Sequence, residues 1–256
     1  MRKSSRVKTS SMLSEPVSTD ILERHPDFEL HRRLKRSGRS TLETSELSGV
    51  DSETIMLSGK LENPGWKLDK RKFLPMINRT FHDYPDMKWY VFVEADSFIF
   101  WRSTLRYLKM LDHTKPHYSG SSTYIGDDLF AHGGAGFFVS QAAMRTVVDY
   151  YDAHQKEIED ATDKHWAGDC VLGKVFKDVG VPFTNSWPIF QNKYPGIVPY
   201  AKSDGRSAVD DEMRLWCYPS VSYHHVTPKV IEDLWHFEQQ WFASDQRVRC
   251  VHPSVI

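Results

Sequence analysis

Trp89-Tyr-Val-Phe-Val-Glu94-Ala95-Asp96-Ser97 is an apolar run that stops abruptly in two carboxylates set two residues apart. Side chains in a strand alternate faces, so Glu94 and Asp96 are expected to point the same way where the strand ends. Two carboxylates joined by an imidazole form a hard to borderline donor set, suited to Mn2+ or Mg2+ bound together with substrate phosphates. A Glu-x-Asp pair alone is weak evidence, because acidic residues often just begin a surface loop. Its place directly after Trp-Tyr-Val-Phe-Val strengthens it.

Working outward, Asn63-Pro-Gly-Trp66 is a turn signal, and Trp66, Leu68, Phe73, Leu74, Ile77 and Phe81 follow at near-helical spacing. They predict one helix from Trp66 to Phe81, kinked at Pro75. Lys70 and Lys72 on that helix either meet phosphate or face water. Downstream, Ser103 is the expected N-cap of a helix carrying Leu105, Leu108 and Leu111. A short strand near His117 to Ser119 and a loop from Ser121 to Phe130 come next.

The segment Ala131-His-Gly133-Gly134-Ala135-Gly136-Phe-Phe-Val-Ser140 reads as a glycine turn entering a buried strand, with Ser140 capping a long helix through Met144, Val147, Val148 and Tyr151. The glycines have two readings, a backbone-amide cradle for phosphate or a close approach of backbone to a ligand or neighbour. The second is preferred, since the loop precedes a strand and lacks the Lys-Ser/Thr of a P-loop. A further helix fits Asp169 to Val179, stopped by Gly180. Asp169 there either satisfies free amides at the helix start or acts as a base. Leu215 to Tyr223 alternates like a strand and runs into His224-His225, a pair of ligand candidates. Thr227-Pro228 opens a last helix through Ile231, Leu234 and Phe237.

Alternating strands and helices predict an α/β domain with a mainly parallel sheet and ligands at the strands' carboxyl ends. Residues 61–245 are assigned to it, 1–60 to a polar tail or loosely packed arm with one short amphipathic helix near Phe28 to Leu34, and 246–256 to a C-terminal tail.

Charge and composition narrow the classes. The 33 basic and 34 acidic residues nearly cancel, which argues against a protein that mainly neutralises nucleic-acid phosphates. The basic run His31 to Arg36 is read as a solvated helix face. Three cysteines, Cys170, Cys217 and Cys250, are too few and too scattered for a disulfide framework or a zinc knuckle. No apolar run reaches 18 residues and no signal-peptide core follows Met1.

Trp89 to Phe98, Gly133 to Ser140, Gly168-Asp-Cys-Val-Leu-Gly173 and Ser222-Tyr-His-His-Val226 stand in the order and rough spacing of the Fringe-like β-1,3-glycosyltransferases, glycosyltransferase family 31. Over about residues 63 to 243 the chain resembles that family, most of all the fungal relatives of the core 1 β-1,3-galactosyltransferases. The resemblance implies a GT-A-like fold, a UDP-sugar donor carrying galactose or a related hexose, Mn2+ (or Mg2+) and inversion at the anomeric carbon. It also implies a glycan or glycoprotein acceptor, admits a homodimer, and suggests a Golgi or other secretory-pathway membrane although no anchor is visible. The family's Asp-x-Asp motif falls on Glu94-Ala95-Asp96, making Asp96 the leading metal ligand. Its strand-end histidine falls on His224, with His225 as second choice, and Asp169 becomes the base. Gly133, Gly134, Ala135 and Trp166 would lie near the sugars, and Lys70 near the nucleotide.

Two departures accompany this. Glu94 replaces the usual first Asp, lengthening that arm by one methylene. A GT-A domain also opens with an apolar strand bearing part of the uridine pocket, and residues 1–60 offer none, so truncation is an expectation too. Two rival functions follow: an impaired remnant that binds UDP-sugar or glycan or pairs with an active homologue, and a metal-dependent hydrolase using the same ligands.

Overall fold

The structure, a computed structural model, describes residues 17, 19–46, 63–198 and 218–243. Most of the N-terminal tail, the tail 246–256, Leu215 to Cys217 and Cys250 lie outside them. Helices α1 (Thr19–Arg24) and α2 (Glu29–Ser37) are followed by α3 (Pro64–Asp69) and α4 (Phe73–Asp83), strands β1 (Trp89–Phe92) and β2 (Phe98–Ile99), and α5 (Trp101–Lys109). Next come β3 (Tyr118–Gly120), β4 (Ser122–Ile125), β5 (Asp128–Ala131), β6 (Phe137–Ser140), α6 (Gln141–Lys164), α7 (Gly168–Asp178), β7 (Phe183–Asn185), β8 (Ser222–Tyr223) and α8 (Pro228–Ala243).

The fold is α/β, with a central four-stranded sheet of order β1-β6-β3-β7 flanked by helices, in keeping with a GT-A-like architecture. The sheet is mixed rather than mainly parallel: β6 pairs antiparallel with β1 and with β3, and only β3 and β7 run parallel. Parallel neighbours need a long crossover. The path from β3 to β6 is instead a β4–β5 hairpin and a tight glycine turn, which bring the chain back antiparallel. That hairpin occupies the stretch expected as a loop. Its Ile125↔Asp128 register leaves a two-residue turn in which Gly126, at φ 59, takes the left-handed first position.

The expected helix from Trp66 to Phe81 is two helices. The break falls at residues 70–72, and Pro75 causes no kink, because it lies in the first turn of α4, where its missing N–H has no intrahelical acceptor to serve. Helix α5 starts at Trp101 with Phe100 as N-cap, so Ser103 lies inside it; Thr104 Oγ1 donates back to the Phe100 carbonyl at 2.9 Å. Ser140 does cap α6, accepting from Ala143 N, and past the Val179 C-cap the chain leaves α7 through Gly180, whose φ of 77 only glycine adopts freely.

One core lies between the sheet and α4, α6 and α7, built on Ile77, Phe81, Tyr118, Phe137, Val139, Met144, Val147, Leu172 and Phe176. Tyr118 and Phe176 stack at 4.2 Å between ring centroids. Cys170, the one cysteine among the described residues, is a buried free thiol in α7. Among those residues no strand precedes β1, and no helix is long and apolar enough to cross a membrane.

Candidate active site

Antiparallel pairing assembles the site. The register Phe92↔Phe137 sets the residues leaving β1, Glu94 to Asp96, beside those entering β6, Gly133 to Gly136. The register Phe98↔Tyr223 does the same on the other side, placing His224 and His225 as they leave β8 next to Asp96 and Ser97 as they enter β2. Val226 N donates to the Asp96 carbonyl at 2.9 Å, and Ser97 Oγ donates to the Gly134 carbonyl, tying the three segments together.

Glu94 and Asp96 face different partners. Asp96 Oδ2 lies 3.5 Å from His224 Nε2 and 3.7 Å from His225 Nδ1, too far for direct hydrogen bonds. One donor atom from each of the three residues falls within 4.8 Å of the others. Partial burial pushes the Asp96 carboxyl up, but the two imidazoles outweigh it and hold the group well below the usual carboxylate range. The two rings stack at 3.7 Å, and His225 takes the left-handed conformation at φ 58 to bring its ring alongside. His224 is buried, and its Nδ1 has no hydrogen-bond partner. One carboxylate and two imidazoles with donor atoms this close together fit a divalent cation of the Mn2+ type.

Glu94 turns instead to Lys72, whose Nζ donates to Oε1 at 2.8 Å and also binds Asp69. Burial disfavours the Lys72 charge, but Glu94 and Asp69 more than compensate and raise its pKa. Burial pushes the Asp69 carboxyl up to about 6, against the pull of Lys72.

Asp169, in the first turn of α7, accepts from Gly133 N and Cys170 N, each at 2.9 Å. Burial raises its pKa and these two amides restrain the rise. Asp169 thus satisfies an amide at the helix start and also reaches across to the glycine loop. Gly168 lets α7 approach this closely: a β-carbon there would sit 2.0 Å from the Lys70 carbonyl oxygen.

The glycine loop serves close approach. Three of its amides are spent inside the protein, Gly133 N on Asp169, Ala135 N on His132 Nδ1 at 3.2 Å and Gly136 N on the Gly133 carbonyl at 3.0 Å, which leaves little of a phosphate cradle. A β-carbon at Gly134 would lie 2.2 Å from His224 Cε1, and one at Gly133 would lie 2.7 Å from the Phe73 ring. Ala135 is buried in the turn.

Lys70 does not join this group. Its ammonium lies 3.2 Å from Asp27 Oδ2, on the side facing the N-terminal helices, because the break between α3 and α4 turns Lys70 and Lys72 in different directions. Trp166 forms an exposed shelf beside Asp169, stacked on Trp66 at 6.0 Å, with the Trp66 indole N–H donating to its carbonyl. Two members of the site escaped the sequence reading. Asp69 falls within the stretch whose spacing predicts one continuous helix, and His132 carries no local signal beside the glycines after it. The His132 ring lies 5.3 Å from that of His224, and burial, reinforced by the nearby histidines, lowers its pKa to about 4.

A model of the Fringe-like family matches residues 67–194, half of the 256-residue chain. The chain belongs to the Fringe-like family. Comparison with curated proteins gave no match. As a Fringe-like glycosyltransferase it belongs with enzymes that typically use a metal ion, a sugar-nucleotide donor and a glycan acceptor. The matched residues include Glu94, Asp96, the glycine loop, Trp166 and Asp169, and they end before His224 and His225. The place of the two histidines in this Fringe-like site thus rests on geometry, namely the pairing of β8 with β2.

Proposed function

We propose that the protein is an inverting, metal-dependent β-1,3-glycosyltransferase that moves galactose or a related hexose from a UDP-sugar to a hydroxyl of a glycan or glycoprotein. The observation that carries this reading is the convergence of Asp96, His224 and His225 on one side of the glycine loop with Asp169 on the other.

Asp96, His224 and His225 would hold Mn2+ or Mg2+, which when bound neutralises charge on the diphosphate of the donor and departing UDP. Asp169 takes the proton of the acceptor hydroxyl, the freed oxygen electron pair attacks C1 of the donor sugar, and the bond from C1 to the phosphate oxygen breaks with its electrons leaving on UDP. A raised pKa suits this role, because a carboxylate of higher basicity draws the proton more strongly. The glycine loop lets backbone come close to the sugars, and the Trp166 shelf offers an apolar face for a ring to lie against.

The test is Asp169→Asn in the full chain with UDP-galactose and Mn2+. Transfer is expected to fall by about 10²-fold or more, the usual weight of a general base, while affinity for UDP stays within threefold. Normal turnover in the variant would remove Asp169 from the role. A second reading is that of a protein that binds donor or glycan without turnover, or pairs with an active homologue. It draws on the Glu94–Lys72 ion pair, which engages the residue standing in for the usual first Asp. Metal-dependent UDP binding without any transfer by the unaltered chain would favour it.

A further inference from the structure

Lys72 and Glu94 form an ion pair at 2.8 Å in the candidate site, and three observations bear on what it does. First, Lys72 sits at the N-cap of α4 with its ammonium 4.9 Å from the centre of the neighbouring Phe73 ring, and that ring is itself wedged against Gly133 of the loop. The lysine is anchored at its base rather than free to sweep the surface.

Second, its ammonium is shared between Asp69, at the end of α3, and Glu94. The break between α3 and α4 that the periodicity concealed is what folds Asp69 and Lys72 back on each other. A glutamate arm, one methylene longer than aspartate, thereby has its carboxylate fixed at Oε1, and Oε2 has no hydrogen-bond partner among the described residues. Third, the Lys72–Glu94 pair is linked to Asp169 through packing: Lys72 lies over Phe73, Phe73 packs against Gly133, and Gly133 N donates to Asp169. Asp69 and Glu94 lie close enough to Asp169 for their charges to be felt there. A group on the base side of the site borders the transferred sugar, whose C1 must lie between the base and the diphosphate.

We infer that Lys72, braced by Asp69, is a positioning residue for the donor sugar: it holds Glu94 in the one orientation that presents Oε2 to a hydroxyl of the transferred hexose. The role rests on the donor-binding reading given above. Lys72 acts through Glu94 and not on the diphosphate, which separates it from a phosphate-binding lysine. Holding a charged, flexible side chain in advance removes ordering cost from the binding step.

Calorimetric titration of UDP and of UDP-galactose with Mn2+ tests this on the full chain and on Lys72→Met, Lys72→Arg, Glu94→Gln and the double variant Lys72→Met/Glu94→Gln. Lys72→Met is expected to weaken UDP-galactose about tenfold while leaving UDP within twofold. Lys72→Arg restores most of the loss, because it keeps a donor between the two carboxylates. The double variant is no weaker than the weaker single one, since the two residues act as one unit. Equal weakening of UDP and UDP-galactose places Lys72 on the diphosphate or in general stability and overturns the inference, as does an unchanged affinity for both or an additive double variant. Should Lys72→Met fail to fold by circular dichroism, Asp69→Asn, which loosens the same tether from its other end, is held to the same selective loss and the same overturning results. An unaltered chain that binds neither ligand overturns the donor-binding reading itself and this inference with it. Binding of both, with no selective loss in the variants, overturns the positioning role alone.

Discussion

Gly134 shows how tightly the site is built at the scale of single residues. With a β-carbon 2.2 Å from His224 Cε1, Gly134→Ala must push the imidazole aside, and neither the stacked His225 ring nor the loop backbone offers easy relief. Mn2+-dependent UDP binding is expected to weaken at least tenfold in that variant while the far-ultraviolet circular dichroism stays unchanged. Unaltered binding would detach the loop from the metal group. Much of this scale was legible in advance. Asp96, Asp169 and the glycines announce themselves because an acidic pair closing an apolar strand, an acid opening a helix and clustered glycines are each local patterns. His132 and Asp69 were not, because their roles come from burial and from a chain reversal between helices, and neither leaves a local mark. The direction taken by Glu94 was also hidden: alternation along a strand puts it with Asp96, yet β1 ends at Phe92 and the rule no longer holds beyond it.

At the scale of elements, a single hydroxyl fixes the junction of β6 with α6. Ser140 Oγ accepts from Ala143 N at 3.3 Å and from His117 N at 2.9 Å, and donates to the Lys115 carbonyl at 2.7 Å, so it joins three stretches of backbone in a fully buried place. Ser140→Ala removes a cap and strands buried polar groups, for an expected loss of about 2 kcal/mol. A fall in Tm of about 4–8 °C corresponds to that in a chain of this size. A change under 1 °C would mean that water takes over all three bonds. Capping chemistry of this kind is readable from sequence because it is local, as are the glycine stop of α7 and the Thr227-Pro228 start of α8, where Val230 N reaches Thr227 Oγ1. Strand direction is not. The hairpin of β4 and β5 carries no Asn-Gly signature, only Gly126-Asp127, and the antiparallel entry of β6 depends on that hairpin.

Across the whole molecule, the N-terminal helices are tied to the catalytic layer by charge. Arg71 is buried and donates to Asp27 Oδ2 at 2.9 Å while also pairing with Asp163 at the end of α6, and Lys70 approaches the same Asp27 carboxylate. Burial raises the Asp27 pKa, but Arg71 and Lys70 outweigh it, and the net effect is a depression below 3.8. A carboxyl whose folded pKa is depressed contributes stability in full above its unfolded value and loses it as pH falls through the folded value. Stability is therefore expected to drop below pH 3.8 in the unaltered chain, and Asp27→Asn should be less stable at neutral pH yet show a shallower drop in that acid window. Denaturant unfolding followed from pH 5 to pH 2 reads both, and parallel curves for the two proteins would contradict the assignment. This network was beyond the sequence, since it joins residues from positions 27, 71 and 163 that no periodicity relates.

In the proposed function, residues that leave two strands, β1 and β8, meet to hold a cation that a sugar nucleotide needs. Isothermal titration of UDP with and without Mn2+, on the full chain and on His224→Ala, tests it most directly. UDP binding is predicted to require Mn2+ and to weaken at least tenfold when the His224 imidazole is removed. Equal affinity with and without Mn2+, or metal-dependent binding that survives the loss of His224, would contradict it.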